Sequence, residues 1–590
     1  MKIGFPKICI PVYLFLFSYV SHAQNKQISD IRLNQIGFYP NAPKIAIITD
    51  NSSISFNVVR STDNSKVFHG ELKKIRAITT SQKETLIADF SAFNKVGRYK
   101  IESDKGIYSS TFDIKPAVHH TLAIAAVKAY YYQRASTALP EKYAGKWNRL
   151  AGHPDDQVLI HPSAATEQRP VGTLISAPGG WYDAGDYNKY IVNSGVTMGT
   201  MLSLYEDFPD YVKMVNTNIP ESRNAVPDLI DELIWNLRWM LKMQDPNDGG
   251  VYNKLTNASF DGMVMPNITR LPRYVVQKGT AATLDFAAVT AQAGRLLKRY
   301  EKDLPGLADS CLASSKRAWA WAIKNPGMEY DQHMINEKFR PKVTTGGYGD
   351  KNFYDEFIWA AVELYITTGD VSFYRAVNIL PDERMPLPSW GNVRLLGYYS
   401  LLRNETKLID KPNNDIEILK ERLIKTADRL LVGVSHTPYF AVMGQDQKDF
   451  GWGSNSLAAN QGIALIQAYK ISEDKKYLDA ALSNLDYLLG RNATGYSFVT
   501  GIGVNTPMHP HHRPSVADKI VDPIPGLLVG GPNPGKQDGI ALPSSIPDEA
   551  YVDNQGSFAT NEIAINWNAP LVYLVYGIEA LQFKTGYVKR

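Results

Sequence analysis

The chain has 590 residues, 44% of them hydrophobic and 21% charged, an ordinary globular composition with enough apolar material for a sizeable core and about two to four domains. Lysine and arginine number 63 against 59 aspartate and glutamate. With no basic block in the sequence, charge gives no reason to expect a nucleic-acid partner, and a neutral ligand fits better.

Lys2 and Lys7 precede an apolar run over 8–20, which ends in Ser21-His22-Ala23. This pattern predicts a secretory signal cut after Ala23, giving a periplasmic or secreted protein. The run is too short for a spanning helix, and Cys9 within it lacks the small residues that precede a lipid-carrying cysteine. Removal of the leader leaves Cys311, which excludes an intramolecular disulfide and a zinc site with several cysteine ligands.

Over 28–115 the chain alternates in short runs at 31–37, 44–49, 55–60, 67–72, 85–90, 97–101 and 111–114, with turn residues at Asn41-Ala42-Pro43 and Asp63-Asn64. The spacing predicts a small β-sandwich. No tryptophan cluster marks a sugar-binding face, so a bracing role is expected. From Pro116 the period changes, and helices are predicted at 119–134, 192–206, 226–243, 280–301, 306–323, 354–368, 371–378, 393–402, 415–431, 456–471, 474–489 and 562–583. They make 116–590 an all-α domain without strands. Twelve helices are the number that six hairpins need to close a double-layered ring, but periodicity alone does not show closure. The connections 135–178, 244–279, 324–350 and 491–561 are long and rich in Gly, Pro, Asn and Asp. Loops of such length on a rigid helical frame suggest a cleft.

The stretch 179–190, GGWYDAGDYNKY, carries Asp183 and Asp186 three residues apart among glycines and aromatics. Two carboxylates on one side of a turn suit acid/base work, and Trp181, Tyr182, Tyr187 and Tyr190 could offer flat faces to sugar rings. The structural alternative is that the aspartates cap a helix starting near Tyr187. Further on, His509, His511, His512 and Arg513 could donate hydrogen bonds to hydroxyl groups or merely tie down their own proline-rich loop. Adjacent histidines with no carboxylate at a ligand spacing argue against a metal there. Glu562 opens the last predicted helix, where a carboxylate is also a favourable first-turn charge.

Taken together, Asp183-Ala184-Gly185-Asp186, Pro510-His511-His512-Arg513 and Asp553 through Asn561-Glu562-Ile563-Ala564 resemble, in order, the motifs of glycoside hydrolase family 9. Arg32-Leu33-Asn34-Gln35-Ile36-Gly37-Phe38 resembles the opening of the N-terminal immunoglobulin-like domain in one branch of that family. The resemblance implies an immunoglobulin-like sandwich before an (α/α)6 barrel. It implies Asp186 as general base, Asp183 as its assistant in holding water, and Glu562 as general acid. His511 and Arg513 would contact sugar hydroxyls, and Trp390 and Trp452 would line the cleft; Tyr182, from its aromatic setting, and Trp567 are further candidates for substrate contact. Trp567 stands where many relatives have tyrosine, and Ser456-Leu457 where many have Arg-Tyr. No cofactor serves the chemistry. A structural calcium is implied at Asp355 and Glu356, with the family's later aspartate replaced near Gly391-Asn392. Zinc is not expected, because His153 and His161 remain without cysteines.

An inverting hydrolase needs a protonated and an ionised carboxyl group across a water-sized gap, and Asp553 is a candidate neighbour for raising the pKa of Glu562. The expected activity is internal cleavage of β-1,4-glucosidic bonds in soluble β-glucans such as xyloglucan, mixed-linkage glucan or substituted cellulose, by a monomer. With no cellulose-binding module evident, crystalline cellulose is not the expected target. The alternatives are exo-acting hydrolysis of short β-linked gluco- or glucosamino-oligosaccharides, and glycan binding without catalysis.

Overall fold

The computed structural model describes residues 29–76 and 83–589. The leader expected over 1–23 lies outside them.

Nine short strands form the N-terminal sandwich. One sheet has the order β1 (Ile31–Arg32), β3 (Ile45–Ile48), β7 (Glu84–Asp89), β6 (Lys73–Arg76). The other runs β2 (Gly37–Phe38), β9 (Phe112–Ile114), β8 (Gly97–Ser103), β4 (Ser55–Arg60), β5 (Lys66–Glu71). The single run expected at 31–37 divides between the two sheets. Phe38, Phe56, Phe90, Phe93 and Phe112 fill the space between them, as alternating inward positions do in a sandwich. The sandwich is bonded to the helical part through buried side chains: Asn34 Nδ2 donates to Asp486 Oδ1 (2.8 Å) and the Tyr39 hydroxyl to Glu579 Oε1 (2.5 Å).

Among the helices of the described residues, twelve alternate around the barrel: α1 (His120–Tyr132), α2 (Ile191–Asp207), α3 (Asp228–Lys242), α4 (Thr280–Leu297), α5 (Leu307–Lys324), α6 (Tyr354–Thr368), α7 (Val371–Arg375), α8 (Arg394–Arg403), α9 (Asn413–Val432), α10 (Ser454–Ser472), α11 (Lys475–Leu488) and α12 (Ile565–Leu581). Even-numbered helices form the inner ring of an (α/α)6 barrel. Thus α2 packs on α4 and α12, α4 on α6, α6 on α8, and α10 on α12, while odd-numbered helices lie outside. The sequence distinguishes the two layers. In α4 nearly every side chain is buried, including Thr283, Asp285 and Gln292, whereas α9 buries only Ile416, Leu419, Leu423, Thr426 and Ala427 along one face.

Alternation of antiparallel helices puts every outer-to-inner connection at one end of the barrel. Those are the long ones. The opposite connections are mostly short, as at 369–370 and 473–474, with 208–227 the exception. The long loops also contain something periodicity missed, a five-stranded sheet ordered β11 (Leu174–Ile175), β10 (Val158–Ile160), β14 (Arg273–Val275), β13 (Lys254–Asn257), β12 (Lys189–Tyr190). Strands of two to four residues leave too little sequence to show a period of two, so the domain is mainly rather than wholly helical.

Candidate active site

The loop that carries Asp183 and Asp186 is held from both sides. Before it, Gly179 and Gly180 take positive φ (+88° and +77°), and a Cβ on Gly180 would lie 2.7 Å from the Trp239 ring of α3. Close approach there requires glycine. Trp181 then enters the core and donates Nε1–H to Glu232 (2.8 Å), while the Tyr182 hydroxyl meets His153 Nδ1 (2.9 Å). After the loop, Lys189 and Tyr190 pair with Leu255 and Lys254. Tyr182 is wholly buried against Ala135 and Tyr187, so it anchors the loop and does not line a cleft, contrary to expectation. Trp181, Tyr187 and Tyr190 are buried too. Helix α2 starts at Ile191, and neither aspartate caps it.

Asp183 accepts both oxygens' worth of bonding from Asn193 Nδ2 (3.0 Å each) and a bond from the Tyr348 hydroxyl (2.9 Å). Asp186 accepts from the Asn188 side-chain amide and from the Tyr190 hydroxyl (3.2 Å). Burial and the neighbouring Asp186 charge push the Asp183 carboxyl up to about 8, against the pull of Asn193 and Tyr348.

Glu562 does not open the last helix. It follows the short helix Phe558–Asn561 on an extended segment, and α12 begins only at Ile565. That segment is woven into the others. Ala564 bridges Ala184, Glu562 bridges His511, and Ile563 bridges Val529. Ile565 N–H donates to Asp183 O (2.8 Å), and Gly185 N–H to Glu562 Oε1 (3.3 Å). Burial first, then the charges of Asp186 and Asp183, hold Glu562 well above the ordinary carboxylate range. Asp553, expected to supply that charge, instead accepts from Met508 N, His509 N and Asn561 Nδ2 (2.8, 2.9 and 3.0 Å) and so fixes the histidine loop. A carboxyl group held protonated beside a second, hydrogen-bonded carboxylate is the pairing that inverting glycoside hydrolysis requires. The sign of its pH dependence follows. A general acid must carry its proton, so with Glu562 in that role the raised pKa would extend activity above the ordinary carboxylate range, and the rate would fall as pH rises through that pKa. A pH profile of kcat/KM whose alkaline limb lies near pH 4.5 would contradict this.

His511 Nδ1 lies 2.7 Å from Gln555 O and must donate to it. Burial lowers the pKa of the ring, so the neutral imidazole has Nε2 left as an acceptor for a hydroxyl, where donation was expected. Gly185 admits this histidine, since a Cβ there would sit 2.2 Å from His511 O. Arg513 donates to Gly185 O (2.8 Å) and Asp261 O (2.9 Å), and its guanidinium lies over Phe260. It holds the two loops together, and its charge acts on Glu562. His512 is buried between Gln133 and Ser515.

Trp390 and Trp452 are 36% and 50% exposed, high for indoles and suited to sugar faces. Trp390 packs edge-on against Tyr348, and Trp452 lies on Phe558, which meets His511. One aromatic track therefore leads to Asp183 and another to the neighbourhood of Glu562. Trp567 is half-buried in the first turn of α12, under Gly453, where a Cβ would approach its Nε1 to 2.6 Å. Tyr348 escaped sequence reading. Its setting in Gly346-Gly347-Tyr348-Gly349 gave no sign of a hydroxyl aimed at Asp183.

Asp355 and Glu356 are buried in the first turn of α6. Asp355 Oδ2 accepts from Val393 N (2.7 Å), but Asp355 Oδ1, Glu356 Oε2, both oxygens of Asp285, Asp350 Oδ2 and Asn392 Oδ1 have no partner. Burial and mutual repulsion raise Asp285, Asp355 and Glu356. Among the described residues no three His, Cys, Asp or Glu side chains stand at ready metal spacing. Orphaned buried oxygens are nevertheless costly, and this all-oxygen set matches the chemistry of a hard cation. Of the two histidines weighed for zinc, His161 spends both nitrogens on Ser163 and Pro341 O, while His153 meets Tyr182 through Nδ1 and leaves Nε2 without a hydrogen-bond partner.

A sequence profile described as Glycosyl hydrolase family 9 matches residues 120–575, and one described as Cellulase N-terminal ig-like domain matches 26–106. The chain is similar to Xyloglucan-specific endo-beta-1,4-glucanase BoGH9A of Bacteroides ovatus, 48% identical over 552 residues that cover 93% of this chain and 94% of that protein. Endoglucanase D of Acetivibrio thermocellus is 34% identical over 559 residues, covering 93% and 83%. The solved structure of Bacteroides ovatus GH9 superimposes with a TM-score of 0.90 at 46% identity, over 94% of this chain and 99% of that one. AaCel9A in complex with cellobiose-like isofagomine gives 0.82 at 29% identity, over 93% and 99%.

Proposed function

The chain belongs to glycosyl hydrolase family 9, and from that premise we propose that its substrate is xyloglucan, cut within the β-1,4-glucan backbone. It is an inverting endo-β-1,4-glucanase. Glu562 protonates the departing glycosidic oxygen, Asp186 takes a proton from the attacking water, and Asp183 holds that water. Through Nε2, His511 accepts from a sugar hydroxyl, and Trp390 and Trp452 carry glucan on either side. The observation that carries the catalytic reading is the direct joining of the Asp183–Asp186 loop to the Glu562 segment, by the Ala184–Ala564 bridge and the Gly185–Glu562 hydrogen bond. The choice of xyloglucan is supported by the similarity to the xyloglucan-specific relative.

Release of reducing ends from xyloglucan, mixed-linkage glucan and carboxymethyl-cellulose tests the reading. Xyloglucan should be fastest, with mixed oligosaccharides early and α-configured new ends. Monosaccharide alone would point to exo action on short chains, and no turnover of any glucan would leave binding only.

The polymer reaches the enzyme outside the cytoplasm, in keeping with the expected leader. No helix among the described residues is long and apolar enough to cross a membrane. One chain supplies every catalytic group named, so the working unit is a monomer. A calcium ion held by Asp285, Asp350, Asp355 and Glu356 would be structural, neutralising their charge where α6 meets 392–393. Chelation should then lower Tm by about 2 °C, because a ligand at a hundredfold excess over Kd stabilises by about 2.7 kcal/mol and the unfolding entropy grows with chain length. Added calcium should restore it. An unchanged Tm after chelation, with no calcium found by elemental analysis, would show that the carboxyls share protons instead.

A further inference from the structure

Lys254 on β13 stands opposite Tyr190 on β12 and is wholly buried. Its Nζ meets Gln332 Oε1 (2.6 Å), Thr345 Oγ1 (3.0 Å) and Gly346 O (2.6 Å). As an ammonium, with three N–H donors, Nζ serves all three acceptors. It also lies over the Tyr190 and Tyr330 rings, 5.4 and 5.6 Å from their centres. Burial is the larger influence and holds the amine well below the usual lysine range, and the Asp186 carboxylate offsets only part of it, so the charged form depends on the three acceptors around Nζ. An unpaired cation is expensive to bury, so a fold that keeps one beside its catalytic carboxylates calls for a reason.

Two hydrogen-bonded routes run from it to those carboxylates. In the first, Gly346 N–H donates to the Tyr190 hydroxyl (3.1 Å), which donates to Asp186; two residues on, the Tyr348 hydroxyl donates to Asp183. In the second, Thr345 Oγ1 bonds Thr256 Oγ1 (2.7 Å), Thr256 donates to Asn188 Oδ1 (2.9 Å), and the Asn188 amide donates to Asp186. Thr345 accepts from the ammonium, so its own proton points toward Thr256. Every donor in the series is thereby oriented toward Asp186.

We propose that Lys254 is a positioning residue for hydrolysis, its ammonium clamping residues 345–346 so that the hydroxyls of Tyr348 and Tyr190 reach Asp183 and Asp186. This rests on the carboxylate roles proposed above. Lys254 touches no substrate, and its effect passes through the loop.

Lys254→Met keeps the stem and removes the three donors. In this variant kcat on xyloglucan should fall by about 30-fold to 100-fold, the scale of a misplacement near 1 Å, while KM stays within about twofold. Adding Tyr348→Phe should cost little more than Lys254→Met alone, since the contact it removes is one that Lys254→Met already breaks; multiplied losses would overturn the proposal. Thr345→Val, a milder break in the same clamp, guards against a misfolded first variant. It should lower kcat several-fold with KM and Tm nearly unchanged, and full activity in it would also overturn the proposal. A crystal structure of Lys254→Met tests the clamp without any substrate, so it stands apart from the question of which glucan is cut. Tyr348 should leave hydrogen-bond reach of Asp183, and a Tyr348 still 2.9 Å from Asp183 would refute the clamp.

Discussion

Glu562→Gln should lower xyloglucan hydrolysis by about 10³-fold, within the range general acid catalysis supplies, while leaving the fold intact. The amide is isosteric and still accepts from Gly185 N–H, so the joined loops keep their places. What disappears is a transferable proton. The test that separates this role from any other is the leaving group. A 2,4-dinitrophenyl cello-oligosaccharide departs without protonation, so the variant should turn it over at a rate much nearer to wild type. Equal losses on the aryl substrate and on xyloglucan would show that Glu562 is not the acid.

Asp186→Ala should cost a similar factor, about 10³-fold on the same scale, with the opposite diagnostic pattern. Water still has to lose a proton, so an aryl leaving group should not restore the rate. Azide, a nucleophile with no proton to remove, should restore part of it. Truncation strands the Asn188 amide and the Tyr190 hydroxyl, which costs about 1–3 kcal/mol per unsatisfied group, and Asp186→Asn therefore serves as the control for stability. Asp183→Asn should lose less activity than either Asp186 variant, because Asp183 holds water but does not take its proton. If Asp183→Asn proves the more damaging, the two aspartates exchange roles.

The sandwich bears on these measurements through buried contacts. Tyr39 and His119 N–H converge on Glu579 at the end of α12 (2.5 and 2.9 Å), and the Glu562 segment leads into the start of that helix. Deleting the N-terminal domain would take Tyr39 from Glu579 and Asn34 from Asp486, so truncated forms are poor vehicles for testing the carboxylates.

Local sequence determined the elements with many residues and one environment. The twelve helices repeat their apolar positions over three or more turns in most cases, and six of the nine sandwich strands run over four to seven residues. The motif residues Asp183, Asp186 and Glu562 were legible because their covalent neighbours are distinctive. The small sheet was not, since β12 is two residues long. Tyr182 was misread because a glycine-flanked aromatic run looks the same whether it faces sugar or the core. Asp285 sat unremarked in an apolar helix, and Lys254 in a stretch with no motif. Only the tertiary structure decided what these residues meet. Gly185 and Glu562 are bonded across 377 positions of sequence, and the charges that raise Glu562 belong to Asp186 and Asp183, not to the nearby Asp553. Periodicity is a property of neighbours along the chain, whereas desolvation, repulsion and hydrogen-bond direction depend on groups that the chain brings together only on folding.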